Sequence, residues 1–229
     1  MTSTVSINLD LRAGFGPARD QGDRPTCLAF AASDAHAHAR DDLTPLSCEY
    51  LYYHAQRRGG RAPSTGASLP HVLNALREEG QPIEAGWPYL IAVPNDLTIW
   101  VPPSAAAPVF ARKGSALPPT LAEVRVALAT GRAVVALLKL SKSFFLATPG
   151  VLVRPQQDEP VETPDRHAVV VVADGIVDGA PALLVRNSWG SGWGDSGHAW
   201  LSDDYLAPRL FGAAILTDGV DVPSHQAAA

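Results

Sequence analysis

Sulfur is scarce in this chain: 229 residues hold two cysteines and one methionine. Cys27 and Cys48 can form one bridge at most, so a disulfide framework of the secreted kind is excluded. A basic excess is also missing. Lys and Arg number 18 against 23 Asp and Glu, for a net charge of −5, and the basic residues form no run. Nucleic acid and anionic membrane are therefore not expected as partners. The amino terminus, Met1 to Asp10, has neither the basic start nor the apolar stretch of a secretory signal. The longest apolar runs, such as Ala168 to Ala173, are far too short to cross a bilayer. No Cys/His cluster has metal-ligand spacing, so neither a metal nor another cofactor is expected. Together these absences predict a reducing cytoplasm, where a thiol stays free.

The apolar fraction, 46%, against 18% charged residues, is enough for a real core. The first half reads as helices. Small and apolar residues run from Cys27 to about Arg40. A second helix opens at the N-cap residue Ser47 and ends at Arg57 or Arg58, before Gly59-Gly60. A third has Ser68 as N-cap, Leu69, Val72, Leu73 and Leu76 as its stripe, and Gly80 as its stop. Residues 92–119, rich in Pro, Ala and Ser, read as an extended crossing. Thr120 and Glu123 match a capping box for a short helix ending near Gly131. Strands are then expected at Ala133–Leu140, Val151–Val153, Ala168–Ala173, Ala182–Val185, Trp200–Leu201 and Ala213–Leu216. Helices first and strands second indicate an α+β fold with two halves packed face to face.

Cys27 opens the first predicted helix, six residues after Gln21, where unpaired N–H groups and the helix dipole favour a thiolate. His167 precedes an apolar run, and Asn187 sits in Asn187-Ser188-Trp189-Gly190. Cysteine, histidine and asparagine, with a glutamine ahead of the cysteine, are the parts for thiol-based acyl transfer. The thiolate attacks a carbonyl, the imidazole carries protons, one amide orients the ring and the other stabilises the oxyanion. Cys48, within a predicted helix, reads as a small buried hydrophobe.

Gln21-Gly22 followed by Cys27-Leu28-Ala29-Phe30 resembles the active-site segment of papain-like cysteine proteases. Asp165-Arg166-His167-Ala168-Val169, with Gly175 beyond, is similar to the family's His-Ala-Val strand. Arg186-Asn187-Ser188-Trp189-Gly190 through Trp193-Gly194 looks like its Asn-Ser-Trp-Gly block. The likeness extends from about Leu11 to about Leu216. It implies a single peptidase domain over residues 1–229: a mainly helical subdomain at about 11–110, a mainly β, barrel-like antiparallel subdomain at about 111–218, and a frayed tail at 219–229. The active site would lie in the cleft between the subdomains. The resemblance further implies that Cys27, His167, Asn187 and Gln21 are catalytic, and that a peptide or protein is the substrate. By position, Gly66 would pair with an extended substrate, and Leu69 and Leu137 would line the pocket for the side chain two residues before the cut; both leucines read equally well as core. Trp189 would shield the His–Asn hydrogen bond beside the substrate.

The chain departs from the family's pattern at several points. Pro25-Thr26 replaces the usual Gly-Ser, Leu28 replaces the usual Trp, and Arg166 stands where Asp or Asn is common. Only some ten residues precede the likeness, so no inhibitory propeptide is expected. The expectation is peptide-bond hydrolysis of restricted specificity, such as trimming of a precursor's leader or cutting of one partner protein. An acyl or amide transferase using the same cysteine, and a catalytically silent peptide-binding module, remain the alternatives. Oligomeric state is not readable from these residues.

Overall fold

The computed structural model describes residues 3–104 and 106–220. In chain order its principal elements are β1 (Val5–Asp10), α1 (Cys27–Ala39), α2 (Cys48–Gly59), α3 (Leu69–Glu78), β2 (Gln81–Pro82), β3 (Val109–Leu117), α4 (Leu121–Ala129), β4 (Val134–Lys139), α5 (Lys142–Phe145), β5 (Arg166–Val177), β6 (Ala180–Arg186), β7 (His198–Ser202), α6 (Asp203–Leu206) and β8 (Leu210–Val220). The strands form an antiparallel sheet in the order β2-β3-β8-β4-β5-β6-β7, and β1 adds to β5.

The sheet is covered on both faces, which explains why β4 and β5 read as unbroken apolar runs. Val135, Ala168, Val170, Val172 and Leu216 face α1, α2 and α3. Val134, Ala136, Leu138, Val169, Val171 and Ile215 face α4, α5 and α6. Alternate residues of one strand thus serve two cores. Helix α1 is buried along most of its length, and its alanines let the sheet and α2 approach closely.

Three expectations need correcting. Residues 92–119 are not a plain crossing: 109–117 form β3, paired with β8 from Ala111 to Leu117. The half-exposed β3 carries Arg112, Lys113 and Ser115, so its strand period is blurred. Val151–Val153 is not a strand; Val153 makes one isolated parallel bridge to Leu201. Ser68 stands at the N-cap of α3, but its hydroxyl meets His71 Nδ1 at 2.8 Å and caps no backbone N–H. Strand β1 was not anticipated, although Val5, Ile7 and Leu9 alternate with Ser6, Asn8 and Asp10. Gly219 and Val220 belong to β8, whereas the rest of the expected frayed tail, 221–229, lies outside the described residues. No helix among the described residues is long and apolar enough to cross a membrane.

Burial holds three histidines neutral. It pushes His36, His54 and His167 down to about 4, against the opposing pull of Gln81, Glu79 and Asn187 respectively. Unfolded, each ring takes a proton near pH 6.5. Between these limits the unfolded state binds more protons, so stability falls as pH drops from about 6.5 to about 4. A wholly buried ring such as His36 contributes on the order of 3 kcal/mol to this loss. Urea midpoints measured from pH 7 to pH 4.5 should decline steeply; a flat profile would contradict the assignment.

Candidate active site

Cys27 is the first residue of α1, and Thr26 at its N-cap makes no side-chain cap. The open first turn therefore leaves N–H groups facing the thiol. The amides of Ala168, Leu28 and Cys27 itself are turned toward the sulfur, but burial outweighs them and pushes the thiol up. Ala168 follows His167 on β5, so the sheet carries the imidazole to the helix end. Cys27 and His167 line one cavity of about 380 Å³.

His167 Nε2 meets Asn187 Oδ1 at 2.6 Å, and the Ser188 N–H donates to the same oxygen at 2.8 Å. A carbonyl oxygen only accepts, so Nε2 carries the hydrogen and Nδ1 is left for the sulfur. Burial disfavours an isolated thiolate and an isolated imidazolium alike. A proton passed from Sγ to Nδ1 would set two opposite charges in the one cavity that both residues line, each lowering the cost of the other.

The ring is packed on its flank. Trp189 lies 4.7 Å from it and Phe144 5.9 Å, and Trp189 also stacks on Phe145 at 5.4 Å. This aromatic cluster keeps water from the His167–Asn187 bond and so strengthens it. Arg186, just before Asn187, reaches Asp34 of α1 at 2.7 Å, and Arg19 reaches Asp34 at 2.8 Å. Burial alone would raise the Asp34 carboxyl, but the two guanidinium groups hold it below its usual value. Asp34 thereby ties the helix of the cysteine to the strand that delivers the asparagine.

Gln21 is buried. Its Nε2 donates to the Arg24 carbonyl at 2.8 Å, and its Oε1 accepts from Ser188 Oγ at 2.6 Å. The Arg24 carbonyl only accepts, so it fixes the NH2 end of the amide beside it and leaves the serine hydroxyl to donate to Oε1; the NH2 end keeps a second hydrogen to offer. Tyr89 clamps the loop from 21 to 26: its hydroxyl donates to the Gln21 carbonyl at 2.7 Å and lies 2.9 Å from Thr26 Oγ1. Beneath the loop Arg24 makes a two-pronged pair with Glu49 at 2.6 and 2.9 Å. Glu49 also accepts from Trp100 Nε1 at 2.7 Å and from the Leu90 N–H at 3.1 Å. Sequence reasoning named neither this brace nor Tyr89. Ser188 was visible only as a member of its block.

Gly66, Leu69 and Leu137 all line the 380 Å³ cavity, together with Pro70, Ala168 and Phe211. Trp189 does not; it lies against the imidazole. Arg166 also lines the cavity, with its guanidinium 5.4 Å from the Phe211 ring. Cys48 is wholly buried, and burial pushes its thiol up to about 12. It is chemically quiet. Among the described residues, no group of His, Cys, Asp or Glu side chains converges as metal ligands do.

The profile of the papain family cysteine proteases ("Papain family cysteine protease") matches residues 6–207, and the chain belongs to that family. It is similar to cysteine proteinase 1 of Entamoeba histolytica, 28% identical over 189 residues, covering 80% of this chain and 58% of that protein. It is also similar to mouse cathepsin J, 28% identical over 218 residues, covering 82% and 57%. The chain thus spans somewhat under three fifths of these relatives. Among solved structures, xylellain, a cysteine protease from Xylella fastidiosa, superposes with a TM-score of 0.74 at 22% identity, over 93% of this chain and 87% of that one. A cysteine protease of Carica candamarcensis gives 0.69 at 19% identity, over 95% and 99%. The fold is therefore the papain-like α+β fold.

One test of the site's inner support follows directly. Ser188→Ala removes one of the two hydrogen bonds that hold the Gln21 amide and should lower kcat about tenfold with KM little changed, in keeping with one lost hydrogen bond of about 1–1.5 kcal/mol. A KM effect with kcat intact would contradict this role.

Proposed function

We propose that the chain hydrolyses peptide bonds through a cysteine acyl-enzyme. The observation that supports this best is the shared cavity of Cys27 and His167, with Asn187 2.6 Å behind the ring. Cys27 passes its proton to His167 Nδ1 and attacks the substrate carbonyl. The oxyanion takes hydrogen bonds from Gln21 Nε2 and the Cys27 N–H, each such donor being worth on the order of 3 kcal/mol. His167 then gives the proton to the leaving amine, takes one from water, and the hydroxide releases the acid. Asn187 keeps the ring aligned throughout.

The cavity walls are apolar at Leu69, Pro70, Leu137, Ala168 and Phe211. We assign this cavity to an apolar side chain two residues before the cut, with Gly66 bonding the extended substrate. Restricted specificity, as in precursor trimming or the cutting of one partner protein, is part of the same proposal. It is supported by Pro25-Thr26 and Arg166, which place a rigid turn and a cation beside the reacting centre. The two free thiols support a reducing cytoplasm as the setting.

A peptide library varied at that position, read by mass, tests the proposal. Products that gain one water, and a preference of about tenfold or more for Leu or Phe over Asp, are expected. Products that gain an amine would indicate a transferase. Indiscriminate digestion of a proteome would remove the restricted specificity.

A further inference from the structure

A second cavity, of about 240 Å³, lies at the other end of α1, roughly 20 Å along the helix from Cys27. Ala35, His38, Arg112, Gly131, Arg132 and Thr217 line it. Among the described residues no carboxylate lies within ion-pair distance of Arg112 or Arg132; the nearby Asp218 only partly offsets the cost of the Arg112 charge. Arg112 Nη1 donates to the Thr217 carbonyl at 2.5 Å, but its Nε is buried without a partner. Neighbouring Arg40 shows the same lack: one of its nitrogens meets Asp42 at 3.1 Å, while Nη1 is buried and unpartnered. Burial first, and then the charge of Arg40, makes the Arg112 cation costlier than usual.

Arg112 and Arg132, which share the lining of this hollow and pair with no carboxylate among the described residues, are short of a counter-charge, and the idle Nε of Arg112 and Nη1 of Arg40 mark the neighbourhood as rich in donors. We propose that this cavity binds a small ligand through an oxyanion, a phosphate or carboxylate group held between Arg112 and Arg132. The planar guanidinium matches either group with paired hydrogen bonds. The volume is below that of drug-sized pockets, which limits the ligand to a small molecule. The frame is built: His38 stacks on Phe15 at 4.7 Å and its Nε2 lies 3.2 Å from the Gly131 carbonyl. Gly131, at a φ of +77°, turns the chain so that Arg132 flanks the opening.

Titration calorimetry on the intact chain tests the site, with inorganic phosphate in one arm and citrate in another. Sodium chloride at matched ionic strength is the control. A saturable single-site isotherm for phosphate or citrate is expected, weakened at least tenfold by Arg132→Gln and by Arg112→Gln, with alkylation of Cys27 unchanged. The arm that binds more tightly identifies the oxyanion. Arg132 is exposed, so its variant remains informative if Arg112→Gln fails to fold. No saturable heat in either arm, or equal binding by the variants, would overturn the proposal. Neither result bears on peptide hydrolysis.

Discussion

Cys27→Ala should eliminate peptide hydrolysis, with a fall in kcat of at least ~10⁴ and a thermal midpoint close to that of the parent chain. Two features make this the largest expected effect. No other thiol can substitute, because Cys48 is fully buried with its thiol pushed up to about 12. The remaining groups act on the sulfur's behalf, so their contributions are not independent of it. Retention of more than a hundredth of the parent kcat would sink the assignment. His167→Ala should fall nearly as far, since the thiol, already pushed up by burial, would lose its proton acceptor. Its residual thiol reactivity should move to more alkaline pH; an unshifted profile would mean that the two groups do not titrate together.

Arg24→Met should produce the largest loss of stability, on the order of 3–5 kcal/mol. Glu49 is wholly buried, and Arg24 is its charge partner at 2.6 Å. Removal of the guanidinium leaves a carboxylate with only the Trp100 and Leu90 donors. The cost should be partly recovered in the double variant with Glu49→Gln, which removes the stranded charge. Chemical denaturation of the two variants and the parent checks this. Equal losses in both variants would mean that the pair is not coupled. The oxyanion loop should suffer as well, because Gln21 Nε2 rests on the Arg24 carbonyl. The double variant should therefore keep a reduced kcat even where it regains stability.

The catalytic candidates were legible in the sequence because they sit in short blocks with fixed local spacing. A cysteine behind a proline at the head of an alanine-rich run reads as a helix start, and it is one. The supports were not legible. Arg24 and Glu49 are 25 residues apart, and nothing local says that they meet. Tyr89 bonds to Gln21 across 68 residues. Such pairings follow from the packing of the loop before α1 against α2 and against the segment around Tyr89, not from the chain's own periodicity. Strand β3 escaped because its half-exposed surface carries charges, whereas β4 and β5, covered on both faces, stood out as apolar runs. The alternation in β1 was readable but lies on an exposed edge.

Brief reaction with a peptide carrying a thiol-directed electrophile, followed by mapping of the modified residue by mass, tests the central claim most directly. The account predicts one adduct, on Cys27, formed at neutral pH and slowed at least a hundredfold by His167→Ala, with Cys48 untouched. An adduct on Cys48, or an equal rate on Cys27 with and without the imidazole, would contradict it.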